Sequence, residues 1–455
     1  HVGAAAEPEV QVGQHVLKGQ LLAKSQGLIS APVHAPTSGT VVEIGHFTAP
    51  HPSGLPVRTI TLEADGEDRW LETVVPIDPL QTEPQEIAER VGEAGIVGMG
   101  GATFPAAVKL KFGLNKINTF IANGSECEPY LTCDDRLMRE HPRELLDGIR
   151  IILHAVQAKQ ALIAIENNKP EAIMALREAV APFPHIQVVP LPTRYPMGSA
   201  QHMIKILTGL EVPADGHSSD VGVLVHNVGT VYAIHRALRY GHPLVSRIIT
   251  VGGGAMGEPR NVEVPIGALL SDVVAFCGGF KESPARFLVG GPIMGQVMPS
   301  AEVPIVKGTT GILALTAAET DEKFPTPCIR CGSCHAACPS GLLPLEMLAH
   351  IRKDSIEKAV EFGLADCISC GCCAYVCPSY IPLLQYFNYA KGELLNRQYA
   401  RQKVEKTRKL VEQRRLRLVE EEKVKAEAKA AAAAKRKKVS QATAPSQSSD
   451  SEATS

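Results

Sequence analysis

At 455 residues the chain is too long for one ordinary hydrophobic core, so several domains are expected. Its 45% hydrophobic content is that of a soluble globular protein, and a formal charge of −2 excludes a general pull toward nucleic acid or anionic lipid. No apolar run approaches the ~20 residues of a membrane-spanning helix, and no signal peptide is visible, so a soluble cytosolic chain is expected.

The first element, assigned to residues 1–75, is rich in β-structure. Between residues 9 and 44 short apolar strands are punctuated by Gly13, Gly19, Gly27 and Gly39, which predicts a small barrel or sandwich. At Ala35-Pro36-Thr37-Ser38-Gly39 this segment resembles biotinyl and lipoyl carrier domains. Those domains carry a modified lysine at a hairpin tip, where this sequence has Leu28. An unmodified carrier-like fold with a docking or scaffolding role is therefore expected.

A linker rich in proline and acid spans residues 66–85, and residues 76–240 read as an α/β domain. Ile87 to Val97 predicts a helix leading into Gly98-Met99-Gly100-Gly101-Ala102-Thr103-Phe104-Pro105, whose glycines expose backbone N–H groups to a phosphate. Thr103 stands where a dinucleotide fingerprint needs its third glycine, so this is another kind of loop, or only a tight turn. Lys109 follows as a counter-charge. Thr119 to Ala122 reads as a buried strand ending in Asn123-Gly124-Ser125-Glu126-Cys127-Glu128-Pro129, polar groups where open α/β sheets bind nucleotides. A solvated charged turn is the alternative. A helix opens at Pro142, with Leu145, Leu146, Ile149, Ile152, Leu153 and Val156 on one face. Strands at Ala161–Ile165 and Ile186–Val189 flank a helix over Pro170–Val180, which implies a largely parallel sheet. A further apolar run, Val221 to Val225, ends at His226-Asn227, again a polar group at a strand end.

Residues 241–318 read as a separate β-rich domain. Within it, Ile248 to Pro265 is a strand, a Gly252-Gly253-Gly254 turn and a second strand. No lysine follows the triple glycine, so a turn is favoured over a phosphate loop. Cys277 is expected to be core filler.

Residues 319–392 carry the strongest chemistry. Cys328, Cys331, Cys334 and Cys338 precede Pro339, and Cys367, Cys370, Cys373 and Cys377 precede Pro378. Each run reads C-x2-C-x2-C-x3-C-P, the spacing by which bacterial-type ferredoxins hold [4Fe–4S] cubanes. Three thiolates in one loop reach three corners of a cube, while the fourth points toward the other cluster. Cys328, Cys331, Cys334 and Cys377 are therefore assigned to one cluster, and Cys338, Cys367, Cys370 and Cys373 to the second. Structural zinc is the other chemistry that CxxC pairs allow, and the duplicated, proline-terminated pattern argues against it. Thiolate ligands also fit a reducing compartment. Cys127, Cys133, Cys277 and Cys372 lie outside the repeat, and Cys372 is read as a bystander. The tail, residues 393–455, is expected to be a charged helix followed by disorder over residues 440–455, without the apolar stripe of a coiled coil.

The loops at Gly98–Lys109 and Asn123–Pro129 resemble the flavin- and NADH-binding subunit of respiratory complex I, whose corresponding stretches run GRGGAGFP and NADESEP. With the barrel in front and two cluster motifs behind, residues 1–392 more closely resemble the C-subunit family of Rnf/Rsx-type ion-translocating electron transport complexes. The resemblance implies a β-grasp ligand-binding-like domain over residues 241–318. It implies FMN held by Gly98, Gly100, Lys109, Asn123, Ser125, Glu126 and Asn227, and NADH held by Phe104 and Glu128. Ser125 and His226 replace an aspartate and an asparagine of the complex I pattern. Implied in turn is a peripheral subunit on the cytoplasmic side of a bacterial inner membrane. NADH would pass electrons through FMN and two [4Fe–4S] clusters, to or from ferredoxin-type carriers. Its partners would be integral membrane and iron–sulfur subunits, with ferredoxin or flavodoxin at the level of the complex. A soluble NAD-linked dehydrogenase electron subunit, or an electron wire without a working flavin site, are the alternatives.

Overall fold

The computed structural model describes residues 3–72, 76–214, 216–320 and 323–442, with side chains in the last helix through Arg436. It divides into two units, residues 1–344 with 366–384 and residues 345–365 with 385–455.

The first unit opens with six short strands: β1 (Glu7–Pro8), β2 (His15–Val16), β3 (Leu21–Lys24), β4 (Val33–His34), β5 (Gly39–Thr48) and β6 (Pro56–Ala64). They form two antiparallel three-stranded sheets, β1-β3-β4 and β2-β5-β6, the sandwich that the glycine punctuation predicts. Val10, Val16, Leu22, Ala35 and Val41 fill the space between them. Gly39 allows the closest approach, since a Cβ there would lie 2.1 Å from the Glu63 carbonyl oxygen. Leu28 is 63% exposed between β3 and β4, where a carrier domain has its lysine.

The α/β domain follows: α1 (Pro84–Glu93), α2 (Ala106–Gly113), β7 (Thr119–Gly124), α3 (Cys133–Glu140), α4 (Pro142–Val156), β8 (Gln160–Glu166), α5 (Pro170–Val180), β9 (Ile186–Leu191), α6 (Ala200–Thr208), β10 (Val223–Asn227) and α7 (Val228–Tyr240). Its sheet is wholly parallel, in the order β10-β7-β8-β9. The apolar face expected of α4 is the buried one, with Leu145, Ile149 and Ile152 packed beside Phe120 and Leu176. Pro170 starts α5 at a first helical position, where its missing N–H costs nothing. The helix expected over residues 87–97 ends instead at Glu93, because Gly95 adopts φ +66° and turns the chain into the glycine-rich loop.

The next domain contains β11 (Ser246–Gly252), β12 (Arg260–Pro265), α8 (Leu270–Phe276), β13 (Arg286–Val289), β14 (Gln296–Val297) and β15 (Gly311–Leu315). One mixed sheet, β12-β11-β15-β13-β14, covers a core that includes fully buried Cys277. Gly252 ends β11, and Gly253 and Gly254 begin the turn to β12. A Cβ on Gly253 would sit 2.2 Å from the Ala314 carbonyl oxygen, so close backbone packing requires glycine there. Two one-turn helices, α9 (Ser333–Ala336) and α12 (Cys372–Tyr375), belong to the cysteine motifs.

The second unit is helical, with α10 (Pro344–Ile351), α11 (Ile356–Glu361) and α13 (Leu383–Ala442) supplying its segments. Met347, Leu348, Ile356, Ala359, Phe387 and Ala390 are buried, and Arg397 reaches Asp354, Glu357 and Glu393. Farther along α13 the residues are exposed and many are charged, including the Glu405–Lys409 pair at 3.2 Å. Residues 440–442, expected to be disordered, continue that helix; the remainder of that expectation falls outside the described residues. Among the described residues no helix is long and apolar enough to cross a membrane.

Candidate functional site

From β7 the chain winds to β8 and β9 on one side, then returns to β10 on the other side of β7. The sheet's switch point therefore lies between β7 and β10, the place where open parallel sheets bind ligands beyond their carboxyl ends. Asn123 and Asn227 stand there in register as the last paired residues of the two strands. The glycine-rich loop closes over them. Gly98 N donates to the Phe104 carbonyl at 2.8 Å, Thr103 N to the Gly98 carbonyl at 3.1 Å, and Met99 N to Thr230 Oγ1 at 2.9 Å. The amides of Gly100, Gly101 and Ala102 meet no acceptor among the described residues, and Gly101 adopts φ +102°. Such a run of free N–H groups is an anion cradle. A Cβ on Gly100 would lie 3.2 Å from Asn227 Cβ, so glycine lets the loop approach the strand ends. Phe104 is half-buried and joins the loop through its carbonyl group.

Beneath the loop the polar groups are already organised. Asn227 caps α7, its Oδ1 accepting from Gly229 N at 2.8 Å, and its Nδ2 donates to Asp134 at 2.6 Å. Asn123 accepts from Ser125 N at 3.0 Å and donates to the Gly198 carbonyl at 3.0 Å. Glu126 accepts from the amides of Asp134 and Asp135 at 3.0 and 3.3 Å, at the start of α3. Burial, and then the neighbouring Asp134 carboxylate, push the Glu126 carboxyl up to about 7. Ser125 Oγ is buried beside the Glu166 carboxylate. Lys109 Nζ donates to the Val225 carbonyl at 3.2 Å, and burial holds its ammonium below the ordinary lysine value. His226 points into the sheet core against Phe120, with neither ring nitrogen bonded. The asparagine-to-histidine departure therefore lies in the core and not in the crevice.

Three charged residues of this region give no signal in the sequence. Asp134 and Lys169 lie against Glu126, and Arg247, which acts on Asp134, donates to the Met99 and Lys307 carbonyls from a buried position. Lys169 and Arg247 owe their places to segments distant in the chain.

Glu128 is placed apart from the other acidic loop residues. Its carboxylate accepts from Ile293 N at 3.0 Å and Met294 N at 2.7 Å, amides of the loop between β13 and β14. Gly291 is the close approach there, since a Cβ would lie 2.3 Å from Glu128 Oε2. Gly291→Ala should expel the carboxylate and free both amides. Charged hydrogen bonds contribute roughly 1.5–3 kcal/mol, so exchange of those two amides should speed up about tenfold or more. Unchanged protection of residues 293 and 294 in hydrogen–deuterium exchange would refute the clamp.

The two cysteine runs fold as near-copies. Arg330 and Ser369 have φ of 55° and 56°, and Gly332 and Gly371 share φ 78°, ψ −6°. Three cysteines of each run share a loop, and the fourth lies near a cysteine of the other run. The Cys334 thiol is raised by burial and then by Cys331 and Cys377. Burial, then Cys367, Cys370 and Cys338, push the Cys373 thiol up to about 12. Among the described residues no three His, Cys, Asp or Glu side chains converge on one ion. Cys377 lies near Cys334 of the first run and Cys338 near Cys373 of the second, and thiols are a donor chemistry suited to iron–sulfur clusters. Cys372 lies beside Cys370 and Cys338.

Comparison with known families places each domain. Residues 1–67 match the RnfC barrel sandwich hybrid domain, 91–236 the Nuo51 FMN-binding domain, 248–297 the SLBB domain and 327–381 the 4Fe-4S dicluster domain. A curated relative from Rhodobacter capsulatus, the C-subunit of an ion-translocating oxidoreductase complex, is 54% identical over 88% of this chain and 77% of its own length. A protein of the same name from Pseudomonas aeruginosa is 47% identical over 93% of this chain and 55% of its own. The solved NAD+-reducing [NiFe]-hydrogenase in the H2-reduced state overlaps at a TM-score of 0.47, with 19% identity, over 72% of this chain and 64% of that one.

Proposed function

The chain belongs to the C-subunit family of ion-translocating oxidoreductase complexes, and from that premise we propose that it is where NADH delivers electrons to such a complex. Its FMN-binding and dicluster domains make it an electron-transfer subunit with FMN and [4Fe–4S] clusters as cofactors. FMN, when bound, supplies the conversion between a two-electron hydride donor and one-electron clusters.

The residues divide the work. The free amides of Gly100, Gly101 and Ala102, with Gly98 shaping the loop and Lys109 adding charge, hold the FMN phosphate. Asn123, Ser125, Glu126 and Asn227 orient the polar atoms of the flavin. Phe104 and Glu128 face the nicotinamide nucleotide. Cys328, Cys331, Cys334 and Cys377 bind one cluster, and Cys338, Cys367, Cys370 and Cys373 the other. The partners are integral membrane and iron–sulfur subunits of the complex, with ferredoxin or flavodoxin beyond them. The subunit sits peripherally on the cytoplasmic side of the bacterial inner membrane.

The observation that carries this reading is the unpaired amide run over the sheet's switch point. Anaerobic titration of the purified chain with NADH, followed by visible absorbance and EPR, tests it. Flavin bleaching should come with reduction of both clusters. Lys109→Ala should weaken FMN retention roughly ten- to hundredfold, by loss of a charged contact. A chain purified without FMN, or one whose clusters take electrons only from artificial donors, would favour an electron wire. Activity with no association with membranes would favour a soluble dehydrogenase subunit.

A further inference from the structure

The two cysteine loops share a backbone but not their surroundings. Cys328 and Cys331 are exposed, whereas Cys370 is only 8% exposed. A Cβ on Gly332 would meet nothing within 4 Å, but one on Gly371 would lie 3.2 Å from Ile293 Cγ2. The second loop is covered, and two side chains of the α/β domain bind what lies beneath the cover. Tyr195 Oη donates to the Cys370 carbonyl at 2.6 Å. His202 Nε2 pairs with the Pro339 carbonyl at 3.1 Å. A carbonyl only accepts, so Nε2 carries the proton, and His202 Nδ1 is buried without a partner.

The two hydrogen bonds fall on different cysteine runs. Cys370 belongs to the second, and Pro339 follows Cys338 of the first. With the fourth cysteines crossed over, however, both belong to one cluster, that of Cys338, Cys367, Cys370 and Cys373. We propose that Tyr195 and His202 are positioning residues that seat this cluster alone against the α/β domain and fix its potential. The proposal rests on the crossed ligand allocation. One bond holds the peptide that starts at Cys370 and the other the peptide that follows Pro339, one residue beyond Cys338, so loss of either lets that peptide dipole reorient. Hydrogen bonding near the sulfurs is one of the determinants of cluster potential. Among the described residues the other cluster's loop has no such hydrogen bond from Tyr195 or His202.

The test uses Tyr195→Phe, His202→Ala and His202→Gln in the full chain with its clusters loaded, read by potentiometric EPR and by FMN and iron content. Cys331→Ser marks which signal belongs to the other cluster. Tyr195→Phe and His202→Ala should shift the same single signal, up to about tenfold in its oxidised-to-reduced ratio at fixed potential, about 59 mV for one electron. FMN and iron should stay at wild-type levels. His202→Gln, which keeps a donor, should remove most of the shift. If the two variants move different signals, the crossed allocation fails and the joint seat with it. If neither signal moves while the crossed allocation stands, the positioning role is wrong. Loss of both signals together with FMN from Tyr195→Phe would show a folding role and overturn the proposal.

Discussion

Cys377→Ala should empty the cluster whose other three ligands lie about forty residues earlier, and leave its own loop's cluster in place. The fourth thiol of each C-x2-C-x2-C-x3-C-P run ligates the other cubane in two-cluster ferredoxins, and the arrangement here follows the same logic. Cys334 is influenced by Cys331 and Cys377, and Cys373 by Cys367, Cys370 and Cys338. Iron should fall from about eight to about four per chain, as expected for two cubanes. The surviving EPR signal should be the one that Cys338→Ala abolishes. A Cys377→Ala protein in which the Cys328, Cys331 and Cys334 site assembles normally would end the crossed allocation.

The second large effect concerns a lysine that joins three domains. Lys307, 1% exposed, donates to the Pro32 carbonyl of the barrel at 2.8 Å and to the Gly95 carbonyl of the α/β domain at 2.7 Å. Burial lowers its pKa from 10.5 to about 7. Between those values the folded chain holds Lys307 neutral while the unfolded chain keeps the proton. The unfolded state then binds more protons, so stability rises with pH across this window. From pH 7 to 9 the rise should be about 2 kcal/mol. Glu126 acts in the opposite sense but below this range, because its raised carboxyl loses its contribution between 4.5 and about 7. The half-buried Cys127 thiol, raised to about 11 chiefly by desolvation, acts above 9. Lys307→Met should therefore abolish most of the rise in urea denaturation between pH 7 and 9. At pH 9 it should also be less stable than the parent, since two buried carbonyls lose their donor at roughly 1–3 kcal/mol each. A variant that keeps the parent's slope would place the titration elsewhere.

What can be read in the sequence is local. Leu145, Ile149 and Ile152 recur at helical spacing and form a buried helix face. Pro170 and Val180 mark the ends of α5, and the glycines between β11 and β12 mark a turn. The cysteine runs are legible because cluster ligation fixes their spacing. Asn123 and Asn227 are visible as polar strand ends, yet the alignment of their two strands is a property of the sheet. What escapes is long-range. Glu128 finds its amides 165 and 166 residues away, and Lys307 Nζ reaches back 275 residues to Pro32. A lysine flanked by Val306 and Gly308 carries no mark of burial, because the carbonyls that hold it are backbone groups of other domains. The end of α1 at Glu93 escapes a reading of apolar periodicity, which runs on through Val97 while Gly95 stops the helix.

The matched glycines of the two cysteine loops have one more consequence. Gly332 and Gly371 need the same positive φ, so neither tolerates a side chain without backbone strain. Around them the tolerance diverges. Ile329 and Arg330 face solvent, and their replacement meets no neighbouring wall, whereas Ile368 and Ser369 lie half-buried in the covered loop. A library randomised at Ile329 and Ile368 alone should therefore return a diverse set at the first position and a narrow one at the second. The duplication left two copies of one backbone, but only one of them is free to drift.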